Sequence, residues 1–154
     1  MPVYFFDTSA LVKRYVNEVG SSWVDRISDP ATGNDIYIVR ITEVETTAAA
    51  VRRQRGGTLS ASDTATVLSQ FRRDIANEYR VIEVDRLLLS AAASLAEKHG
   101  LRAYDAVQLA AALEVNVRCS KLSLGPLIVV SADGELNAAA MADGLAVENP
   151  NAHP

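Results

Sequence analysis

The sequence is poor in the residues that build several common kinds of site. It has one cysteine, Cys119, so no internal disulfide can form, which fits a reducing compartment such as the cytoplasm. Its two histidines, His99 and His153, stand far apart and lack ligand spacing, which makes a zinc site improbable. None of the eight glycines falls in a Gly-x-Gly-x-x-Gly arrangement, which counts against a nucleotide-binding domain. Positive charge is not in excess either. Fifteen Lys plus Arg face nineteen Asp plus Glu, for a net charge of −4, and any contact with nucleic acid must come from a local basic patch. Long apolar runs are missing: the stretches Leu87 to Ala96 and Leu122 to Ala132 fall well short of the roughly 20 residues of a membrane helix. The start, Met1 to Asp7, has no basic segment and meets an acid too early for a secretory signal.

What is present is a chain of 154 residues that is 49% apolar, about the size of one domain with a substantial core. Short apolar runs alternate with longer amphipathic segments, the pattern of βα units around a mostly parallel sheet. Val3 to Phe6 and Leu127 to Val130 are apolar on both alternating faces and read as central strands covered on both sides. Ile36 to Val39 is a third strand, while Val81 to Val84 and Leu145 to Val147 are weaker and peripheral. Helical patterns run over Ala10 to Asn17, Ser22 to Ile27, Thr42 to Arg55, Ala61 to Asn77, Leu87 to His99, Tyr104 to Asn116 and Glu135 to Ala142. The expected fold is a three-layer α/β/α sandwich with about five strands. Residues 1–148 are expected to form a single domain, and 149–154, rich in Pro and Asn, a loose C-terminal tail.

Four acids stand out by position: Asp7, Glu45, Asp105 and Asp133. Each has an ordinary local explanation. Asp7 follows the first strand and is placed to cap a helix; Thr42 and Glu45 have the spacing of a capping box. Asp105 lies in a first helical turn, where the dipole favours an acid, and Asp133-Gly134 reads as a turn. In an open parallel sheet, however, residues beyond the carboxyl ends of strands gather along one edge, where ligands bind. Asp7 and Asp133 occupy that edge, and the helices bearing Glu45 and Asp105 open toward it. Glu45, at the margin of the expected apolar stripe of Ile41, Val44, Ala48 and Val51, is a better candidate than Glu43. Carboxylates roughly 5 Å apart repel by about 3 kcal/mol per pair at an effective dielectric near 20. A hard divalent cation, Mg²⁺ or Mn²⁺, is the natural offset, and held there it suits phosphodiester hydrolysis.

Four segments carry a family resemblance that spans nearly the whole chain. Phe6-Asp7-Thr8-Ser9-Ala10-Leu11-Val12-Lys13-Arg14-Tyr15 resembles the first motif of PIN-domain proteins, specifically the VapC-type toxin ribonucleases of bacterial toxin–antitoxin pairs. Thr42-Glu43-Val44-Glu45 with Ala48 and Arg52-Arg53 resembles the second, Leu101-Arg102-Ala103-Tyr104-Asp105-Ala106-Val107-Gln108-Leu109-Ala110 the third, and Val129-Val130-Ser131-Ala132-Asp133 with Leu136 the fourth. The third is the most specific match. The stretch from Glu114 to Pro126 is less like the family than its flanks. The resemblance implies a metal-dependent endoribonuclease in which Asp7, Asp105, Glu45 and Asp133 bind Mg²⁺ or Mn²⁺, with Asp133 acting mainly from an outer shell. It implies that the hydroxyls of Thr8 and Ser9 support the site. It also implies an RNA substrate, an antitoxin partner and a homodimer.

For phosphate contacts the sequence offers Lys13, Arg14, Arg40, Arg52, Arg53, Arg55, Arg72, Arg73 and Arg102, of which Lys13, Arg14 and Arg102 lie in matched motifs. Tyr15 and Tyr104 are candidates for stacking a splayed base, against the commoner use of an aromatic in a core. With no pair of histidines for cleavage through the 2′-hydroxyl, water activated by metal is preferred, leaving a 5′-phosphate and a 3′-hydroxyl. Two other readings stay open: a non-catalytic interaction module with the same fold, and a metal-dependent phosphatase. Asp7-Thr8-Ser9 lacks the second acid of an Asp-x-Asp nucleophile motif, which counts against the latter.

Overall fold

A computed structural model describes residues 2–154. Five parallel strands form one sheet: β1 (Val3–Phe6), β2 (Asp35–Val39), β3 (Tyr79–Ile82), β4 (Leu127–Val130) and β5 (Ala146–Glu148), in the order β3-β2-β1-β4-β5. The helices are α1 (Thr8–Leu11), α2 (Ser21–Ser28), α3 (Ile41–Arg55), α4 (Ala61–Asn77), α5 (Arg86–His99), α6 (Ala103–Lys121) and α7 (Gly134–Ala142). The two weaker apolar runs fall at the edges of the sheet, as their composition suggests, but β3 lies two residues earlier than expected and β5 one residue later. No helix among the described residues is long and apolar enough to cross a membrane.

Alternation along the central strands divides the core into two halves. Val3 and Phe5 of β1, with Leu127 and Val129 of β4, pack against α5, α6 and α7. Tyr4, Phe6 and Val130 point the other way, onto Ala10 and Leu11 of α1, Val24 of α2 and Phe71 of α4. β1 is the hinge of this arrangement because the strand order reverses there: the chain runs from β1 outward to β2 and β3, then returns to β4 on the other side of β1. Such a switch point leaves an open crevice at the carboxyl edge.

Several local expectations change. The first helix begins directly after β1, because the Asp7 carboxylate accepts the Ser9 N–H as its cap, and it tightens into a 3₁₀ turn at Val12–Arg14. Helix α6 runs on to Lys121, since Val115 and Cys119 extend its buried face by another turn. Helix α3 is rotated from the expected stripe: Thr42, Thr46, Ala49 and Ala50 are buried, whereas Val44 is 70% exposed. Small side chains let α3 lie close beside α1 and α4, and the bulkier ones are turned outward. The capping box is absent, because Arg40 is the N-cap and Thr42 lies inside the helix.

Nor is the C-terminal segment loose. Pro150 is buried in a short 3₁₀ turn, and the His153 ring stacks on Trp23 of α2 at 4.3 Å. Gly20, with φ +86°, makes room for it: a Cβ there would collide with the Pro150 carbonyl. Composition alone did not expose this anchoring, because it depends on a partner more than a hundred residues earlier in the chain.

Candidate active site

The crevice at the carboxyl edge of the sheet holds a cavity of about 390 Å³ lined by all four acids. Each arrives on a different element. Asp7 follows β1, Glu45 sits on α3 after β2, Asp105 is the third residue of α6, and Asp133 is the N-cap of α7 after β4. The local explanations hold for three of them at once with the convergence. Asp7 and Asp133 do cap helices, and Asp105 does occupy a first turn, yet all face one cavity.

Asp7 is buried and fixed from several sides. Its Oδ2 accepts from the Ser9 backbone N–H at 3.2 Å, the Ser9 hydroxyl at 2.5 Å and the Ser131 hydroxyl at 3.1 Å. Ser131 in turn accepts the Asp133 N–H at 3.0 Å, and Ser9 accepts the Ala132 N–H at 2.9 Å. These bonds tie the ends of β1 and β4 together and set Asp7 and Asp133 in register. Burial pushes the Asp7 carboxyl above its ordinary range, and the hydroxyl and amide donors offset part of that rise.

Glu45 is held by a second cluster. Its Oε1 accepts from the Thr8 hydroxyl at 2.9 Å and from Gln108 Nε2 at 3.0 Å, while the same nitrogen reaches the Thr42 hydroxyl at 3.0 Å. Gln108 is almost fully buried, and its Oε1 has no protein partner. The amide therefore points its donors at Glu45, which as a carboxylate can only accept. Desolvation raises the Glu45 carboxyl too, against these donors. Asp105 is half-buried and pushed up to about 6, first by desolvation and then by Asp133, Asp7 and Glu45; Arg102 offsets part of this.

The donor set is made of hard oxygens, and burial raises three of the carboxyls, so their charged forms are short of the solvation that water would give them. That chemistry fits a hard divalent cation. The acids do not form a ready-made cage: among the described residues, no group of three or more His, Cys, Asp or Glu is arranged to hold a metal ion. This is compatible with Mg²⁺-like ions, which keep several waters and take one or two carboxylates directly.

The cations are sorted differently from expectation. Arg14 is turned away from the cavity: its guanidinium donates to the Tyr79 hydroxyl and to Glu78, each at 2.7 Å, and is 14% exposed. It is a core ion pair, not a phosphate contact. Tyr15 is likewise structural, donating to Asp74 at 2.7 Å and packing edge-on against Phe71. Lys13 lines the cavity but is buried and paired with Glu18 at 3.3 Å. Arg102 is exposed at the start of α6. Arg52 and Arg53 also reach the cavity wall, Arg53 paired with Glu18.

Sequence reasoning gave no role to Gln108 or Ser131. Gln108 carried a signal, since it is a polar residue in an apolar helical run, three positions after Asp105 and so on the same face. Ser131 carried only its adjacency to the fourth acid.

The PIN-domain family profile matches residues 4–140, a span that includes all four acids. The chain belongs to the PIN-domain family. Ribonuclease VapC45 of Mycobacterium tuberculosis (strain CDC 1551 / Oshkosh) is 34% identical over 116 residues, covering 75% of this chain and 78% of that protein. Two solved structures share the PIN fold across nearly the whole length. FitAcB from Neisseria gonorrhoeae superposes with a TM-score of 0.62 at 19% identity, covering 96% of this chain and 97% of that one. VapBC2 from Rickettsia felis, bound to a DNA fragment from their promoter, gives 0.63 at 16% identity, covering 96% and 98%. In this PIN domain the acids of all four matched motifs line the one cavity.

Proposed function

We propose that this PIN domain is the toxin component of a toxin–antitoxin pair and hydrolyses RNA phosphodiester bonds with the help of Mg²⁺ or Mn²⁺. The observation that carries the reading is the convergence of Asp7, Glu45, Asp105 and Asp133 from four separate elements on one cavity at the switch point of the sheet. The ribonuclease name of a relative at 34% identity supports the same activity. Asp7 and Asp105 would hold the cation, with Glu45 beside them and Asp133 acting mainly through water. Once bound, the ion supplies charge neutralisation, a more acidic water and stabilisation of the leaving oxygen.

The protein's own part is positioning. Ser9 and Ser131 hold Asp7, and Thr8 and Gln108 hold Glu45, so that both carboxylates face the substrate in fixed rotamers. Arg52, on the cavity wall, would meet a substrate phosphate. With no histidine at the cavity, attack by water leaves a 5′-phosphate and a 3′-hydroxyl. A small antitoxin that covers the crevice, and a homodimer, complete the proposal; a toxin–antitoxin complex from Klebsiella pneumoniae, which shares the fold with a TM-score of 0.60 at 16% identity, supports the former.

The test is incubation of purified protein with total RNA, with and without Mg²⁺ or Mn²⁺, followed by mapping of the cut ends. Metal-dependent cuts bearing 5′-phosphates, lost in D7N and D105N, support the reading. Ends bearing 2′,3′-cyclic phosphate, or unchanged cleavage by both variants, overturn it; turnover of a small phosphate ester but not RNA points to a phosphatase.

A further inference from the structure

A second cavity, of about 420 Å³, adjoins the acidic one and shares Thr8, Glu45, Ala49 and Arg52 with it. Its character is different. Beyond the shared residues it is lined by Ile41, Val44, Ala48 and Tyr104, with no further acid. Tyr104 is 60% exposed and Val44 70%, so an aromatic and an aliphatic side chain stand open to water beside a cluster of carboxylates. Exposed apolar side chains lining a groove next to a charged centre are a mark of ligand contact.

Two features say which ligand. Tyr104 immediately precedes Asp105 in the first turn of α6, so the backbone that carries the ring also carries a carboxylate of the reacting centre, one residue on and facing the adjoining cavity. Arg52 lines both cavities and, unlike Lys13, Arg40 and Arg53, is in no ion pair among the described residues. An aromatic face together with an unpaired guanidinium is the chemistry that receives a base and its phosphate in single-stranded nucleic acid.

We infer that this groove is a stacking subsite for the nucleobase next to the scissile phosphate, with Tyr104 as the platform and Arg52 meeting the neighbouring phosphate. The inference rests on the ribonuclease reading and adds to it a source of sequence preference. Around Tyr104 the wall is formed by the apolar Ile41, Val44 and Ala48, which read no hydrogen-bonding edge, so discrimination follows stacking area and favours a purine at one position beside the cut.

The experiment uses the full chain, Mn²⁺ and a pool of 12-nucleotide single-stranded RNAs of random sequence, with cut ends sequenced. Wild-type protein is expected to enrich purines at one position flanking the cut. Y104A loses that enrichment and about 5- to 100-fold in kcat/KM on the purine-bearing strands, whereas Y104F and Y104W keep the bias. R52A lowers cleavage of all strands alike and flattens the salt dependence by about one phosphate contact. Because Tyr104 and Arg52 are surface residues, circular dichroism of the variants should match wild type. A Y104A protein with unchanged cut-site bias overturns the inference alone. So does a Y104A protein that cuts normally but escapes inhibition by a co-expressed antitoxin, which makes the groove a protein-docking face. Wild-type protein that leaves the whole pool intact overturns the ribonuclease reading, and this one with it.

Discussion

Replacing Asp105 by Asn should make the metal-free protein more stable while removing its activity. Asp105 is pushed up to about 6 by desolvation and by the charges of Asp133, Asp7 and Glu45, against an ordinary value of 3.8. A difference of roughly two pH units corresponds to about 3 kcal/mol, at 1.36 kcal/mol per unit. The side chain is only half-buried, so solvent screening reduces this to about 1–2 kcal/mol. The folded protein binds the Asp105 proton more tightly than the unfolded chain. Wild-type stability therefore falls as pH rises from about 4 to about 6, and the penalty persists at neutral pH. Asparagine carries no such penalty. In EDTA at pH 7.5, D105N should melt about 2–8 °C above wild type, and the gap should close at pH 4. Saturating Mn²⁺ should invert the order: at a hundred times its dissociation constant an ion adds about 2.7 kcal/mol to a protein that binds it. Thermal and urea unfolding with and without Mn²⁺ measure all of this. A D105N protein less stable than wild type in EDTA at pH 7.5, or an advantage as large at pH 4, would refute the electrostatic reasoning.

Other substitutions probe the surrounding framework. Q108A removes the donor that holds Glu45 and opens a hole beside Thr8 and Thr42; urea unfolding should show a loss of about 2–4 kcal/mol, and kcat should fall more than KM rises. R14A leaves buried Asp74 and Tyr79 short of a partner and should destabilise by about 2–3 kcal/mol, yet the salt dependence of RNA binding should not change. A reduced salt slope in R14A would restore that residue to the RNA-binding surface. G20A places a methyl group against the Pro150 carbonyl at a positive φ and should cost about 1–3 kcal/mol. Faster amide exchange confined to residues 149–154 and α2 would locate the damage, and unchanged exchange there would count against the anchoring.

Much of this architecture was legible along the chain because it depends on local pattern. The central strands are apolar on both faces, and strand limits at Val3–Phe6 and Leu127–Val130 agree with the structure residue for residue. Asp7 and Asp133 were readable as edge residues because each follows a central strand of a parallel sheet, whose geometry leaves little freedom in where such a residue lies. Glu45, preferred over Glu43 on position, does line the cavity, but the expected apolar stripe was rotated. Glu45 turns inward beside Thr42 and Ala49, while Glu43 pairs with Arg40. Hydrophobicity misleads on such a helix, because close packing against α1 and α4 selects small residues over apolar ones.

The order of residues therefore determined the α/β class, the limits of the two central strands β1 and β4, and the sheet-edge position of Asp7 and Asp133, since each of these is written in short-range periodicity and in the residues that terminate strands and open helices. Tertiary structure alone decided which polar side chains serve the site and which serve the core. Lys13, Arg14 and Tyr15 are consecutive in the same motif, yet Lys13 faces the cavity wall while Arg14 and Tyr15 enter a network with Asp74 and Tyr79. Gln108 acquired its task only when α6 met α1 and α3. A hydrogen bond between residues 63 or 100 positions apart depends on where two elements dock, and no local pattern carries that information.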